Sequence, residues 1–240
     1  GGDGFLRSCL DNCGRRFLDD AQKLDLVRRA WKELGQSTRL DRLRSIQQRD
    51  PTSAAIVLWT SGTSGDPKGV VLTHAGLMAN ARAKLAAVPQ RASERRLTLL
   101  SIAHAYARTC DVGTWLLSGS SLAIGTGFDA WSRLADVIQP TLCNTVPSLC
   151  SRLLDAPTGG NSLRLLGCGG AALSQDDFVR WRDRGVVIIQ GYGLTEAGPV
   201  ICSQTPTNSM PGFVGGFVDG WQYKFVDSRL HVRGIHLMAG

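Results

Sequence analysis

The sequence predicts an α/β fold: a mostly parallel sheet flanked by helices, followed by the start of a small β-rich subdomain. Three observations carry that expectation. From residue 51 onward, short, continuously apolar runs rich in β-branched residues alternate with helical stretches, the signature of strands buried on both faces. Each apolar run is short, Ala54 to Trp59 being among the longest, so none can span a bilayer. Past residue 205 the helical stretches give way to brief alternating runs punctuated by Pro206, Pro211, Gly212, Gly215, Gly216 and Gly220.

Residues 1–50 form a charged segment in which Leu24, Val27, Ala30, Trp31 and Leu34 recur at helical spacing, and Asp50-Pro51 ends it. Six runs then read as strands: Ala55–Trp59, Leu97–Ser101, Ser121–Ile124, Thr141–Thr145, Leu163–Leu166 and Val186–Gln190. Helices are expected over 74–87, 105–118, 129–138, 147–155 and 174–184. Three alternating runs close the chain, at 213–218, 221–227 and 229–233, and are expected to be antiparallel. The expected organisation is thus a helical segment at 1–50, an α/β nucleotide-binding subdomain at 51–205 and a β-rich beginning at 206–240.

Composition narrows the function classes. With 43% hydrophobic and 20% charged residues, the 240-residue chain is neither disordered nor collagen-like, and it can bury a sizeable core. The formal net charge of +7 raises binding to a polyanion. The basic residues are interleaved with acidic ones, however, and no stripe of Arg or Lys alternates with aromatics, so no nucleic-acid partner is expected. Seven cysteines include no C-x-x-C pair, and the Cys9/Cys13 spacing lacks a second pair to complete a zinc site. Cys143, Cys150 and Cys168 lie in apolar segments and read as small buried hydrophobes. Gly1-Gly2-Asp3-Gly4 has neither the basic start nor the apolar run of a signal peptide. These features lead to the expectation of a soluble, cytoplasmic protein with at most peripheral membrane association.

The chemistry concentrates in Thr60-Ser61-Gly62-Thr63-Ser64-Gly65-Asp66-Pro67-Lys68-Gly69, directly after a predicted strand. Three glycines let backbone amides turn inward on an anion, the hydroxyls add donors, and Lys68 supplies a point charge. The spacing is not that of a Walker A loop, and no G-x-S-x-G register fits around Ser61 or Ser64. The string resembles the phosphate loop of the adenylate-forming (AMP-binding) superfamily of acyl-CoA synthetases, peptide-synthetase adenylation domains and luciferases. Val70-Val71-Leu72-Thr73-His74 continues it in the family manner. Gly169-Gly170-Ala171 resembles the segment lining adenine and ribose. Gly191-Tyr192-Gly193-Leu194-Thr195-Glu196 resembles the adenylate motif, and Arg229-Leu230-His231-Val232-Arg233-Gly234 the approach to the ribose-binding aspartate.

The resemblance implies a loop over 61–69 on the β and γ phosphates of ATP, with Lys68 as its cation. It implies Thr195 on the α-phosphate and Glu196 on Mg²⁺. Tyr192 offers an aromatic face for a purine, or packs as an ordinary tyrosine. Glu196 is a hard oxygen ligand of the kind Mg²⁺ takes. Leu99-Leu100-Ser101-Ile102-Ala103-His104-Ala105-Tyr106-Ala107-Arg108 resembles the Leu-Ala-His-x-Tyr-Glu-Arg stretch of long-chain fatty acyl-CoA synthetases, with Ala107 in place of Glu. His104 then lies beside the acyl pocket or is a packed histidine. The implied reaction activates a fatty carboxylate with ATP to an acyl-adenylate and transfers the acyl group to coenzyme A. An aryl- or short-acyl-CoA ligase, an amino-acid adenylation domain and a non-catalytic nucleotide-binding module are the alternatives. The family's ribose-binding aspartate and C-terminal catalytic lysine are expected beyond Gly240, so the chain is read as part of an adenylate-forming enzyme.

Overall fold

A computed structural model describes residues 50–60, 66–156 and 162–240. The helix expected within 1–50, Cys9 and Cys13, and the loop residues Ser61 to Gly65 lie outside the described residues. Residues 51–240 form one compact unit.

That unit begins with a hairpin. Strands β1 (Ala54–Thr60) and β2 (Lys68–Thr73) pair antiparallel, with Thr60 opposite Lys68 and Trp59 opposite Gly69. Strand β2 was not expected from the sequence, where Val70–Thr73 continues the loop. The β-branched pair Val70-Val71 and then Leu72 finds a partner in β1, and Leu58, Val70 and Leu72 bury together. Thr73 then caps helix α1 (His74–Ala87), its hydroxyl accepting from Gly76 N at 3.0 Å.

The main sheet has seven strands. Five run parallel in the order β4 (Ser121–Ile124), β3 (Arg95–Thr98), β5 (Leu142–Thr145), β6 (Leu165–Cys168) and β7 (Val187–Gly193). Strands β8 (Val200–Ser203) and β9 (Gly216–Phe217) extend it antiparallel beyond β7. Every residue of β5 and β6 is buried, as expected of strands covered on both faces. Trp131 of helix α2 (Gly127–Ile138), Leu149 and Leu153 of α3 (Pro147–Leu154), and Phe178 and Trp181 of α4 (Gln175–Asp183) cover one face over Leu97, Cys143, Leu166 and Ile188. Leu142, Leu165 and Ile189 meet Val88, beyond the end of α1, in a second cluster. Among the described residues no helix is long and apolar enough to cross a membrane.

Strands β3 and β6 are offset from the runs expected at 97–101 and 163–166, β8 was not expected, and three further elements differ more widely. The helix expected over 105–118 has a short α turn at Ala105–Ala107, a π-helical stretch at Arg108–Gly113 and a second α turn at Thr114–Ser118. The wide π turn coincides with a buried ion pair, Arg96 Nη1 to Asp111 Oδ1 at 2.6 Å, with side chains 3% and 0% exposed. Asn144 Nδ2 donates to the same Asp111 oxygen at 2.6 Å and to Cys110 O at 3.1 Å. Strand β7 runs three residues past its expected end, through Gly191-Tyr192-Gly193, because β8 returns beside it to pair. Of the run at 213–218 only Gly216–Phe217 is strand, and it joins the main sheet. The last hairpin, β10 (Gln222–Val226) with β11 (Arg229–Arg233), forms as expected around Asp227 and Ser228, both at positive φ (48° and 60°).

Removing one partner of the Arg96–Asp111 pair leaves the other buried and uncompensated. Arg96→Met is therefore expected to cost about 3–5 kcal/mol in denaturant unfolding, and Arg96→Met with Asp111→Leu to recover most of that loss. A double variant as unstable as the single one contradicts the assignment.

Candidate functional site

The C-terminal ends of β6 and β7 open onto a cavity of about 210 Å³. Ligands of α/β sheets collect at such strand ends. Of the residues singled out in the sequence, His104, Gly169, Gly170, Gly191, Tyr192, Gly193 and Thr195 line it. Close approach requires one of these glycines, Gly193, and leaves a tight fit at Gly169. A Cβ on Gly169 would stand 3.0 Å from the Tyr106 ring, and one on Gly193 would collide with the Pro199 carbonyl, which accepts from Leu194 N at 3.0 Å. Tyr192 is 43% exposed beside these bare backbones.

Other sequence-predicted residues do not line the cavity. Glu196 belongs to a 3₁₀ turn, Thr195–Ala197, and its side chain is half-buried. Among the described residues no basic side chain pairs with it. Lys68 is exposed at the start of β2, with Thr60 Oγ1 donating to its carbonyl at 3.5 Å, and Gly69 follows it. The tail links that strand to the turn: Met238 N donates to Glu196 O at 2.8 Å, Ala239 N to Val71 O at 2.8 Å, and Val71 N to Gly240 O at 2.9 Å. Ala171 is exposed and stands apart from the cavity lining.

Helix α1 sets the position of the turn. Asn80, fully buried, donates from Nδ2 to Val200 O at 2.9 Å and Ala197 O at 3.4 Å, and its Oδ1 accepts from Val200 N at 2.9 Å. Thr109 Oγ1 donates to Gly198 O at 3.0 Å from the π turn. Thr195 and Glu196 thus project from a turn whose following residues, Ala197, Gly198 and Val200, are held by α1 and the π turn.

Several lining residues had no sequence signal of their own. Lys84, Cys110, Cys168, Pro199, Val200 and Cys202 complete the wall. Tyr106 lies in the segment already singled out for His104, and it donates to Asn144 Oδ1 at 3.4 Å. Burial pushes the Cys110 thiol up to about 11 and raises those of Cys202 and the Tyr106 phenol, so these groups stay protonated at neutral pH. They form a neutral wall of weak donors, not nucleophiles. Burial has the opposite effect on the Lys84 amine, whose pKa it lowers.

A family profile described as "AMP-binding enzyme" matches residues 14–240. The chain belongs to this family. A feruloyl-CoA synthase of Amycolatopsis sp is 35% identical to this chain over 150 residues, covering 60% of it and 30% of that protein. The peroxisomal long chain acyl-CoA synthetase 7 of Arabidopsis thaliana is 27% identical over 230 residues (74% and 32% covered), and 4-coumarate--CoA ligase 4 of the same plant 26% over 267 (99% and 46%). The chain therefore spans less than half the length of these curated relatives. Among solved structures, ATP-bound MatB from Rhodopseudomonas palustris superposes with a TM-score of 0.71 at 24% identity, covering 80% of this chain and 42% of that one. At that identity the likeness establishes the fold alone.

Because Asn80 satisfies three backbone groups at the turn and the start of β8, its loss strands buried donors and acceptors. Asn80→Ala is expected to lower unfolding stability by about 1–3 kcal/mol. Amide exchange at Ala197 and Val200 should quicken more than in β5, and uniform acceleration across the sheet would contradict the clamp.

Proposed function

We propose that this chain carries the adenylate-forming site of an AMP-forming acyl-CoA ligase. One observation carries the reading: Gly169-Gly170 and Gly191 to Thr195, far apart in sequence, line one cavity at the ends of parallel strands. The CoA-ligase relatives support it. In the reaction a carboxylate oxygen of the acid attacks the α-phosphorus of ATP, and the bond to the β-phosphate breaks with release of pyrophosphate. The sulfur of coenzyme A then attacks the acyl carbon, loses its proton and displaces AMP. The residues bind and align, and the rate comes from orientation and charge stabilisation.

In this reading Gly169, Gly170 and Ala171 border the adenosine, Tyr192 gives its ring to the purine, and Thr195 donates to an α-phosphate oxygen. The loop from Thr60 to Gly69, with Ser61, Gly62, Thr63, Ser64 and Gly65, takes the terminal phosphates, and Lys68 neutralises them. Glu196 suits Mg²⁺: it is an acceptor-only oxygen donor without a basic partner among the described residues, and Mg²⁺ commonly binds through one or two carboxylates plus phosphate oxygens. The ion, when bound, would offset phosphate charge. His104 borders the acid. The nucleotide-binding subdomain spans 51–205 and a β-rich part begins at 206. Five buried free cysteines among the described residues fit a reducing compartment, and we assign the protein to the cytoplasm.

The acid we favour is compact, of the aryl or short-acyl kind. The feruloyl-CoA synthase and 4-coumarate--CoA ligase relatives, named for aryl acids, support this choice. A long-chain fatty acid is the second reading, favoured by the segment from Leu99 to Arg108. Calorimetry with ATP and Mg²⁺ tests the site. Lys68→Ala and Glu196→Ala should each weaken binding by about tenfold or more, the worth of a charge-assisted contact. Unchanged affinity in both would overturn the assignment. Competition between non-hydrolysable cinnamoyl- and palmitoyl-adenylate analogues separates the two acids.

A further inference from the structure

Helix α1 and β8 bring a buried amine to the cavity. Lys84 is 8% exposed and lines the cavity with Cys110, Val200 and Cys202. Its Nζ donates to Ser203 Oγ at 2.7 Å, and that hydroxyl gives its own proton to Gln204 O at 2.8 Å. An ammonium carries three N–H donors, so two remain. Among the described residues no carboxylate pairs with Lys84. Asp111, next to Cys110, is occupied by Arg96 and Asn144 at 2.6 Å each. The Cys110 thiol, pushed up to about 11, brings no negative charge at neutral pH. Burial without a counter-charge disfavours the ammonium and lowers the Lys84 pKa, a cost that a bound carboxylate would offset.

Lys84 is anchored on the sheet and not on the turn. Its partner Ser203 sits on β8 opposite Gly191, whereas Thr195 and Glu196 lie in the turn beyond the end of β7 at Gly193. We propose that Lys84 selects the acid: the cavity takes a carboxylic acid with a second carboxylate at its distal end, and Lys84 Nζ supplies the counter-charge and two hydrogen bonds. This inference rests on reading the cavity as the acid site of a ligase.

Calorimetry with a non-hydrolysable ATP analogue present tests it. The titrants are benzene-1,4-dicarboxylate against benzoate, and octanedioate against octanoate. The wild-type chain should prefer each diacid by about tenfold or more, as a charge-assisted pair implies. Lys84→Met should bring both ratios close to one, a change in discrimination that a purely structural role would not produce. A wild-type chain that takes the monoacids as tightly as the diacids overturns the inference, whether or not the variant folds, and so does a variant that keeps the ratios. The analogue's own affinity is read in the same titrations. Failure of the wild type to bind it overturns the ligase reading and this inference together, whereas binding without discrimination overturns the role of Lys84 alone.

Discussion

The geometry of the site depends on one buried amide. Asn80 holds Val200 through both its N–H and its carbonyl and also reaches Ala197, across separations of 117 and 120 residues. That clamp joins a helix following the first hairpin to the turn after the fifth parallel strand. Without it, the segment between β7 and β8 would be a surface loop with Thr195 and Glu196 on it. With it, the two side chains stand beside a cavity that Lys84 of the same helix also lines. The tail strengthens the arrangement by bonding Glu196 O and β2 together.

A second constraint lies under the cavity. Arg96, Asp111 and Asn144 come from β3, the π turn and β5, and their contacts leave little of their polar surface for water. Such a network is favourable only while every main partner is present. It places the π turn over the sheet, so Tyr106 and Cys110 meet the cavity while Thr109 reaches Gly198. A regular helix would rotate these residues differently, which connects the local distortion to the shape of the binding wall.

Much of this was legible in the sequence. Helix α1 and strand β4 have the bounds their patterns indicated, because Thr73 is a good cap and Ser121–Ile124 a compact apolar run. The glycine segments at 169–170 and 191–193 were singled out, and they do converge. Strands β2 and β8 were not foreseen. Each is a short apolar run attached to a motif, and its strand character comes from the neighbour it pairs with. The boundary drawn at 205 falls between β8 and β9, which are hydrogen-bonded in one sheet. Gly/Pro punctuation marks the turns there but not the pairing.

By itself, the sequence determined the parallel-sheet architecture, the order of its strands and helices, and the glycine-rich segments at the strand ends. Those features follow from local patterns of two, three and four residues, which act within a few turns of chain. Only the tertiary structure decided what closes the cavity. Helix α1 has a polar buried face, with Asn80 and Lys84 one turn apart, and no local rule distinguishes such a pair from solvated residues. Their partners, Val200 and Ser203, lie 120 and 119 residues away, and it is burial against them that sets an ordinary lysine, without a carboxylate partner among the described residues, in the wall of the cavity.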